Sequence, residues 1–406
     1  MSWEQGILIA LTAWYTLTRI LNGPHYLETD YGAVCEMTAT ALVAFPLASL
    51  FNPSSRERAF KALAALVVVA VGALAWVAVV MAVLGRLFQA PLSQMVIGVN
   101  EVYSNPSRLN ILDLHPNFSA AVFSFAMGLM LTLCACVKRK GWWIPAVALG
   151  LGLYAAIALT LSRTAMVTVS LELAGFVYLM LRKRLRPGLA KGLVAVLVAV
   201  AVLAASILGL YASIDVMDTM ADRHAARQTQ TLLPEAGAKQ EVPDTKPKEK
   251  TESQEMLVDR QRLNHSVSSF AGRLTDIYPA IPLVLKDRPA TLLIGTRTED
   301  VVKAASRLAG RYIYHWHNSF LQTMMTAGLP ALLLALAFSV LLVVKAGRLA
   351  LSAGTPLAAQ ALVLPLAGLF LHGMLEDFLF VNPAILNLLF MLFAGFLFLQ
   401  DERKKA

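Results

Sequence analysis

Long apolar runs alternate with polar breaks along the chain. Ten such runs are legible, at about 6–22, 33–51, 60–84, 118–137, 142–161, 164–181, 192–213, 319–344, 357–375 and 379–399. Each approaches or exceeds the roughly 18 residues that mark a membrane-crossing helix. The pattern predicts an all-α, polytopic membrane protein. A missed pair of spans would leave both chain ends on one side, so 10–12 transmembrane helices are expected. The fifth and sixth runs are short and nearly contiguous, which predicts a tight turn between them.

Two polar interruptions are longer than turns. Residues 214–318 separate an N-terminal bundle of about seven spans (1–213) from a C-terminal bundle of about three (319–406). Within that loop, 222–256 is polar and poor in aromatic residues, the composition of a flexible segment. Residues 270–318 mix Leu, Ile, Tyr and Pro with charges, and an ordered stretch with short helices is expected there. Arg86–Asn117 forms a second, smaller loop. No repeat of 20–50 residues is present. No cleavable signal peptide is expected, because MSWEQG lacks a basic start and no small-residue cleavage site follows Ile7–Leu21.

Composition supports the membrane assignment: 57% of residues are hydrophobic and 15% charged, against about 25% charged in soluble domains. A net charge of +9 would suggest nucleic acid in a soluble chain. Here the basic residues cluster in short loops instead. Arg56, Arg58 and Lys61 follow the second run, Lys138, Arg139 and Lys140 the fourth, and Arg182, Lys183, Arg184, Arg186 and Lys191 the sixth. Lys345 and Arg348 follow the eighth, and Arg403, Lys404 and Lys405 end the chain. With alternating spans all of these fall on one side. The positive-inside bias then puts both termini in the cytoplasm and the 214–318 loop outside. Cys35, Cys134 and Cys136 lie in apolar runs, and their spacing matches neither a zinc site nor an assignable disulfide.

On this map several residues of chemical interest share the outer face. Asn117 opens the fourth span. Arg163 sits in the turn between the fifth and sixth, in LTLSRTAM. Arg273 lies in SSFAGRLTDIY. Arg311, His315, His317 and Asn318 precede the eighth span in RYIYHWHNSFLQTMMTAGLP, and Glu376 and Asp377 follow the ninth. Taken singly, each has an ordinary explanation. An interfacial histidine commonly just sits at the interface, an arginine snorkels to headgroups, and Tyr312, Tyr314 and Trp316 read best as an interfacial aromatic belt. Glu172 lies in mid-span, where an ionisable group is a functional candidate by default, although it can equally bond a neighbouring helix.

Taken together, two arginines and a histidine suit one chemistry. Arginine grips phosphate oxygens in a bidentate fork, and a diphosphate has oxygens for two. Neutral imidazole can take a proton from a hydroxyl near neutral pH. The set fits displacement of a lipid diphosphate from one sugar by the hydroxyl of another, with neither a metal nor a general acid obligatory. A transporter or flippase is a different reading, for which Glu172 and Arg19 are the supporting residues.

The stretch HWHNSFLQTMMTAGLPALLLAL resembles the signature of the O-antigen ligase and Wzy polymerase superfamily, a His-Asn pair before a helix with a Gly-rich turn. LTLSRTAM is similar to that family's Ser-Arg segment, SSFAGRLTDIY to its loop-arginine segment and LHPNFSAAVF to its upstream Asn segment. The resemblance covers roughly 110–400. It implies a GT-C-like fold in the bacterial inner membrane, with the site facing the periplasm. It also implies glycan transfer from undecaprenyl diphosphate, without a cofactor or metal. His317 is then the expected base, and Arg163 and Arg273 the diphosphate ligands. Asn318 is expected to orient His317, while His315, Arg311, Asn117 and Glu376 line the site. The expected activity is an inverting O-antigen ligase acting on lipid A–core oligosaccharide in lipopolysaccharide biosynthesis. An O-antigen polymerase is the alternative, followed by a protein O-oligosaccharyltransferase. Two positions depart from the family pattern. Gly295 lacks a second glycine two residues on, and Ala331 stands where glycine is common, which leaves close helix approach at that turn in question.

Overall fold

A computed structural model describes residues 2–22, 27–84, 88–89, 96–100, 108–110, 116–137, 140–184, 192–209, 212, 278, 280–296, 316–352, 354–380 and 385–400. Each of the ten apolar runs contains helix. In order these are α1 (Trp3–Leu21), α2 (Leu27–Ala39), α3 (Pro53–Leu84), α4 (Pro116–Cys136), α5 (Trp143–Thr160), α6 (Arg163–Arg184) and α7 (Gly192–Gly209). Two short helices of the long loop follow, α8 (Ala280–Asp287) and α9 (Thr291–Ile294). The C-terminal part holds α10 (Ser319–Leu351), α11 (Leu357–Ala361), α12 (Val363–Leu375) and α13 (Ile385–Phe398). Among the described residues, eight helical segments are long and apolar enough to cross a membrane, so the protein is a multi-pass membrane protein. Helix α1 is not one of them, since Glu4, Gln5 and Arg19 dilute its apolar run, and α13 is only 14 residues long.

The smaller loop adds a feature that the apolar pattern does not carry. Strands β1 (Phe88–Gln89), β2 (Val96–Asn100) and β3 (Arg108–Asn110) form an antiparallel sheet in the order β1-β2-β3, with Phe88 opposite Ile97 and Val99 opposite Leu109. It packs against α3, α4 and α5. The tract 222–256, expected from its composition to be flexible, lies outside the described residues, as do Arg273, Arg311 and His315.

Helix α4 is the centre of the bundle, buried from Ser119 to Thr132, and packs against α3, α5, α6, α11 and α12. Lipid supplies no hydrophobic drive between helices, so close approach through small residues holds them together. A Cβ at Gly128 would lie 2.8 Å from the Pro365 Cα, and one at Gly368 would strike the Glu172 carboxyl. The tight turn expected between the fifth and sixth runs has two residues. Leu161 takes a left-handed conformation (φ 52°), and the Ser162 carbonyl accepts the first bond of α6 from Met166 N–H at 2.9 Å. In the second span Pro46 has no N–H to continue the helix. The helix widens into a π turn over Thr40–Ala44, closed by Phe45 N–H to the Thr40 carbonyl at 2.9 Å.

Helix α10 is broken in the middle. Gly328 adopts φ 80° and ψ 179°, and Pro330 follows. The break lets α9 and its exit loop touch the α10 backbone. A Cβ on Gly295 would overlap the Thr326 carbonyl, and one on Gly328 the Leu293 carbonyl. Close approach therefore occurs at this turn with Ala331 present and fully buried. The expected outcome is that Gly328→Ala destabilises, by about 1–3 kcal/mol for holding an L-residue in a backbone conformation essentially confined to glycine, beyond the collision itself. Gly347→Ala, at an open helical position, should instead stabilise by about 0.4–1 kcal/mol. Thermal unfolding in detergent distinguishes them, and equal midpoints would refute the close approach.

Candidate active site

The site forms where the N-terminus of α10 meets the C-terminus of α12. Asn318 is the N-cap of α10: its side-chain oxygen accepts from Phe320 N–H at 2.9 Å and Leu321 N–H at 3.0 Å, a cap worth about 1 kcal/mol. Its amide nitrogen donates to the Met374 carbonyl at 2.7 Å. The Ser319 hydroxyl donates to the Glu376 carbonyl at 2.8 Å and accepts from Leu379 N–H at 3.1 Å. Side-chain donors at the start of α10 thus take up carbonyls at the end of α12 that have no partner within their own helix, while the backbone N–H groups of Phe320 and Leu321 are capped by Asn318.

This junction aims His317 at Glu376. His317 itself is left-handed (φ 52°), a conformation costing about 1–3 kcal/mol in a non-glycine residue and held only by its surroundings. Glu376 ends α12 in an extended conformation (φ −142°) and is 1% exposed. Its Oε2 lies 3.2 Å from His317 Nδ1, and its Oε1 accepts from Asn117 Nδ2 at 2.7 Å. An ionised carboxylate only accepts, so Nδ1 carries a hydrogen, and in the neutral ring Nε2 is then the acceptor. About a quarter of the His317 side chain is exposed while that of Glu376 is sealed. The ring is reachable from outside and is oriented from within.

Other elements complete the support. Trp316, read from sequence as part of an interfacial belt, is 2% exposed and packs with Val284 of α8 and Met325 of α10. Trp316 N–H donates to Gln322 Oε1 at 3.3 Å. Arg163 is the exposed first residue of α6. The chain reverses direction between α4 and α5 and again at 161–162, so Arg163 opens its helix at the same end of the bundle as Asn117. Glu172 is buried in α6 against Gly368, and neither of its oxygens has a hydrogen-bond partner among the described residues. Among the described residues no group of three His, Cys, Asp or Glu side chains could hold a metal. A cavity of about 210 Å3, lined by Lys61, Met130, Trp142 and Trp143, lies at the other end of α4 and is separate from this site.

Of the expected site residues, the structure brings His317, Glu376 and Asn117 into contact and seats Asn318 beside them as the cap. Ser319 and the Met374 carbonyl are additions; their only sequence signal is a Ser after the His-Asn pair and an apolar span ending in Glu-Asp.

Asp377 extends the acidic end of α12 and is 4% exposed. Burial, then the neighbouring Glu376 carboxylate, push its pKa up to about 7 from 3.8, partly offset by a backbone hydrogen bond. The folded value lies above the unfolded one, so between about pH 4 and about pH 7 the native state holds a proton that the unfolded chain has released. Stability should fall as pH rises through that window. Asp377→Asn should flatten the slope and be more stable than the parent at pH 8. A series of thermal midpoints from pH 4 to 8 tests this, and an unchanged slope would refute it.

No curated protein and no solved structure matches the chain. Residues 146–336 match a family model described as O-antigen ligase. The matched stretch runs from α5 through Arg163 and the long loop to His317 and the break in α10. Over this stretch the chain is similar to the O-antigen ligase family, and the match supports kinship with the O-antigen ligase and Wzy polymerase superfamily.

Proposed function

We propose that the protein is an inverting O-antigen ligase. It moves a glycan from undecaprenyl diphosphate to a sugar hydroxyl of the lipid A–core oligosaccharide. The observation that carries this reading is the Asn117–Glu376–His317 chain of contacts, which presents an oriented, partly exposed imidazole inside the family-matched segment.

In this reading His317 Nε2 takes the proton of the acceptor hydroxyl. The hydroxyl oxygen forms a bond to the anomeric carbon from the face opposite the diphosphate. The carbon–oxygen bond to the diphosphate breaks, and its electron pair leaves with that oxygen. Glu376 stabilises the imidazolium that forms, through the Nδ1 hydrogen bond, and Asn117 holds Glu376. Arg163, with the positive end of the α6 dipole behind it, receives diphosphate charge. Arg273 supplies the second fork, a role that rests on the resemblance of its segment. With two guanidinium groups balancing the leaving charge, the transfer needs no divalent cation. The distribution of basic loops supports a periplasmic site on a GT-C-like fold in the bacterial inner membrane.

The test is reconstitution with a lipid-linked glycan and lipid A–core in the presence of a chelator. Glycan appearing on the core is expected; glycan chains lengthening on the carrier lipid would instead assign the polymerase activity. His317→Ala should lower turnover by about 10²–10⁴, the usual contribution of a general base. Arg163→Lys keeps the charge but loses the fork, and should lower turnover by at least about tenfold. Full activity of His317→Ala at normal protein level would remove it as the base.

A further inference from the structure

We infer that Arg19 and Trp14 of α1 are positioning residues for His317, acting through the half-helix 319–327; the catalytic part of this inference rests on the ligase reading above. The starting point is the backbone at the break in α10. Pro330 has no N–H, so the Thr326 carbonyl has no donor four residues on. In a membrane such a carbonyl must find a partner inside the protein.

Partners from other elements reach all three carbonyls before Gly328. Thr296 N–H donates to the Met325 carbonyl at 2.9 Å. The Arg19 guanidinium donates to the Thr326 carbonyl. The Trp14 indole N–H donates to the Ala327 carbonyl at 2.8 Å. Asn22, at the end of α1, donates to the Ile294 carbonyl at 3.1 Å and ties α9 to the same junction. The Arg19 guanidinium also lies over the Tyr15 ring, 4.8 Å from its centroid, so its position is fixed along two directions.

The half-helix is therefore held at both ends by side chains of other helices or by their backbone. Asn318 and Ser319 tie its N-terminus to α12, and Trp14 and Arg19 tie its C-terminus to α1. The strained φ of His317 lies one residue before the N-cap. A shift of the half-helix toward or away from α12 changes the His317 to Glu376 contact directly. The role assigned to Arg19 differs from the one its charge suggests: its guanidinium holds the Thr326 carbonyl rather than serving a transport path.

The experiment combines hydrogen–deuterium exchange of the full-length protein in detergent with the transfer assay, for Arg19→Gln, Arg19→Lys and Trp14→Phe. Amides of 316–327 should exchange at least tenfold faster in Arg19→Gln, with α3, α4 and α5 unchanged. The kcat should fall by about tenfold or more, with KM for the donor within a factor of two, as expected when a misplaced catalytic group slows only the chemical step. Arg19→Lys should recover part of both effects, because an ammonium still donates to Thr326. Unchanged exchange at 316–327 overturns the clamp. Faster exchange throughout, with folded yield and kcat falling together, overturns a positioning role in favour of general stability. Fast local exchange with normal kcat overturns it as well. If the unaltered protein transfers no glycan while local exchange still responds to Arg19→Gln, the ligase reading falls and the clamp stands.

Discussion

A carboxylate sealed from solvent is the constraint around which the site is built. Glu376 has almost no exposed surface, and an unpaired charge in that position would be strongly destabilising. Its two oxygens are met from two different helix starts, by Asn117 of α4 and His317 before α10. Its carbonyl is met by Ser319. Three helices distant in sequence must therefore arrive together for one side chain to be satisfied. The arrangement that satisfies Glu376 also fixes which nitrogen of His317 carries hydrogen. Stability and chemistry are set by the same contacts.

The second constraint is backbone satisfaction at the break in α10. A helix continuous through this point would leave no room for α9, and Pro330 would still deny the Thr326 carbonyl its donor. The break opens that room at Gly328, where only a glycine tolerates both the torsion and the Leu293 carbonyl against it. It also exposes three carbonyls, and Thr296, Arg19 and Trp14 take them up. The long loop and α1 are thereby attached to the helix that carries His317. A charge that in sequence suggested transport is bound up in holding backbone.

Much of this was legible beforehand, because membrane solvation writes itself into composition. Long apolar runs cross, basic loops mark a side, and a two-residue gap such as Leu161–Ser162 leaves no choice but a tight turn. The His-Asn pair before an apolar helix was likewise readable as a pattern, but Asn318 was expected to orient His317 and instead caps the helix. What pattern did not reveal were pairings across sequence distance. Trp316 looks like any interfacial aromatic until α8 covers it. The three short strands of the smaller loop leave no apolar signature.

By itself the sequence determined the helices, their approximate ends and the end of the bundle that gathers polar residues. These follow from local terms: apolar length, charge at loop ends, caps and breakers. Only the tertiary structure decided that Glu376, rather than Asn318, holds the His317 Nδ1, that Asn117 completes that contact, and that Arg19 faces the Thr326 carbonyl. Each of those partners lies tens to hundreds of residues away. Desolvation made a partner necessary, and helix packing selected which one.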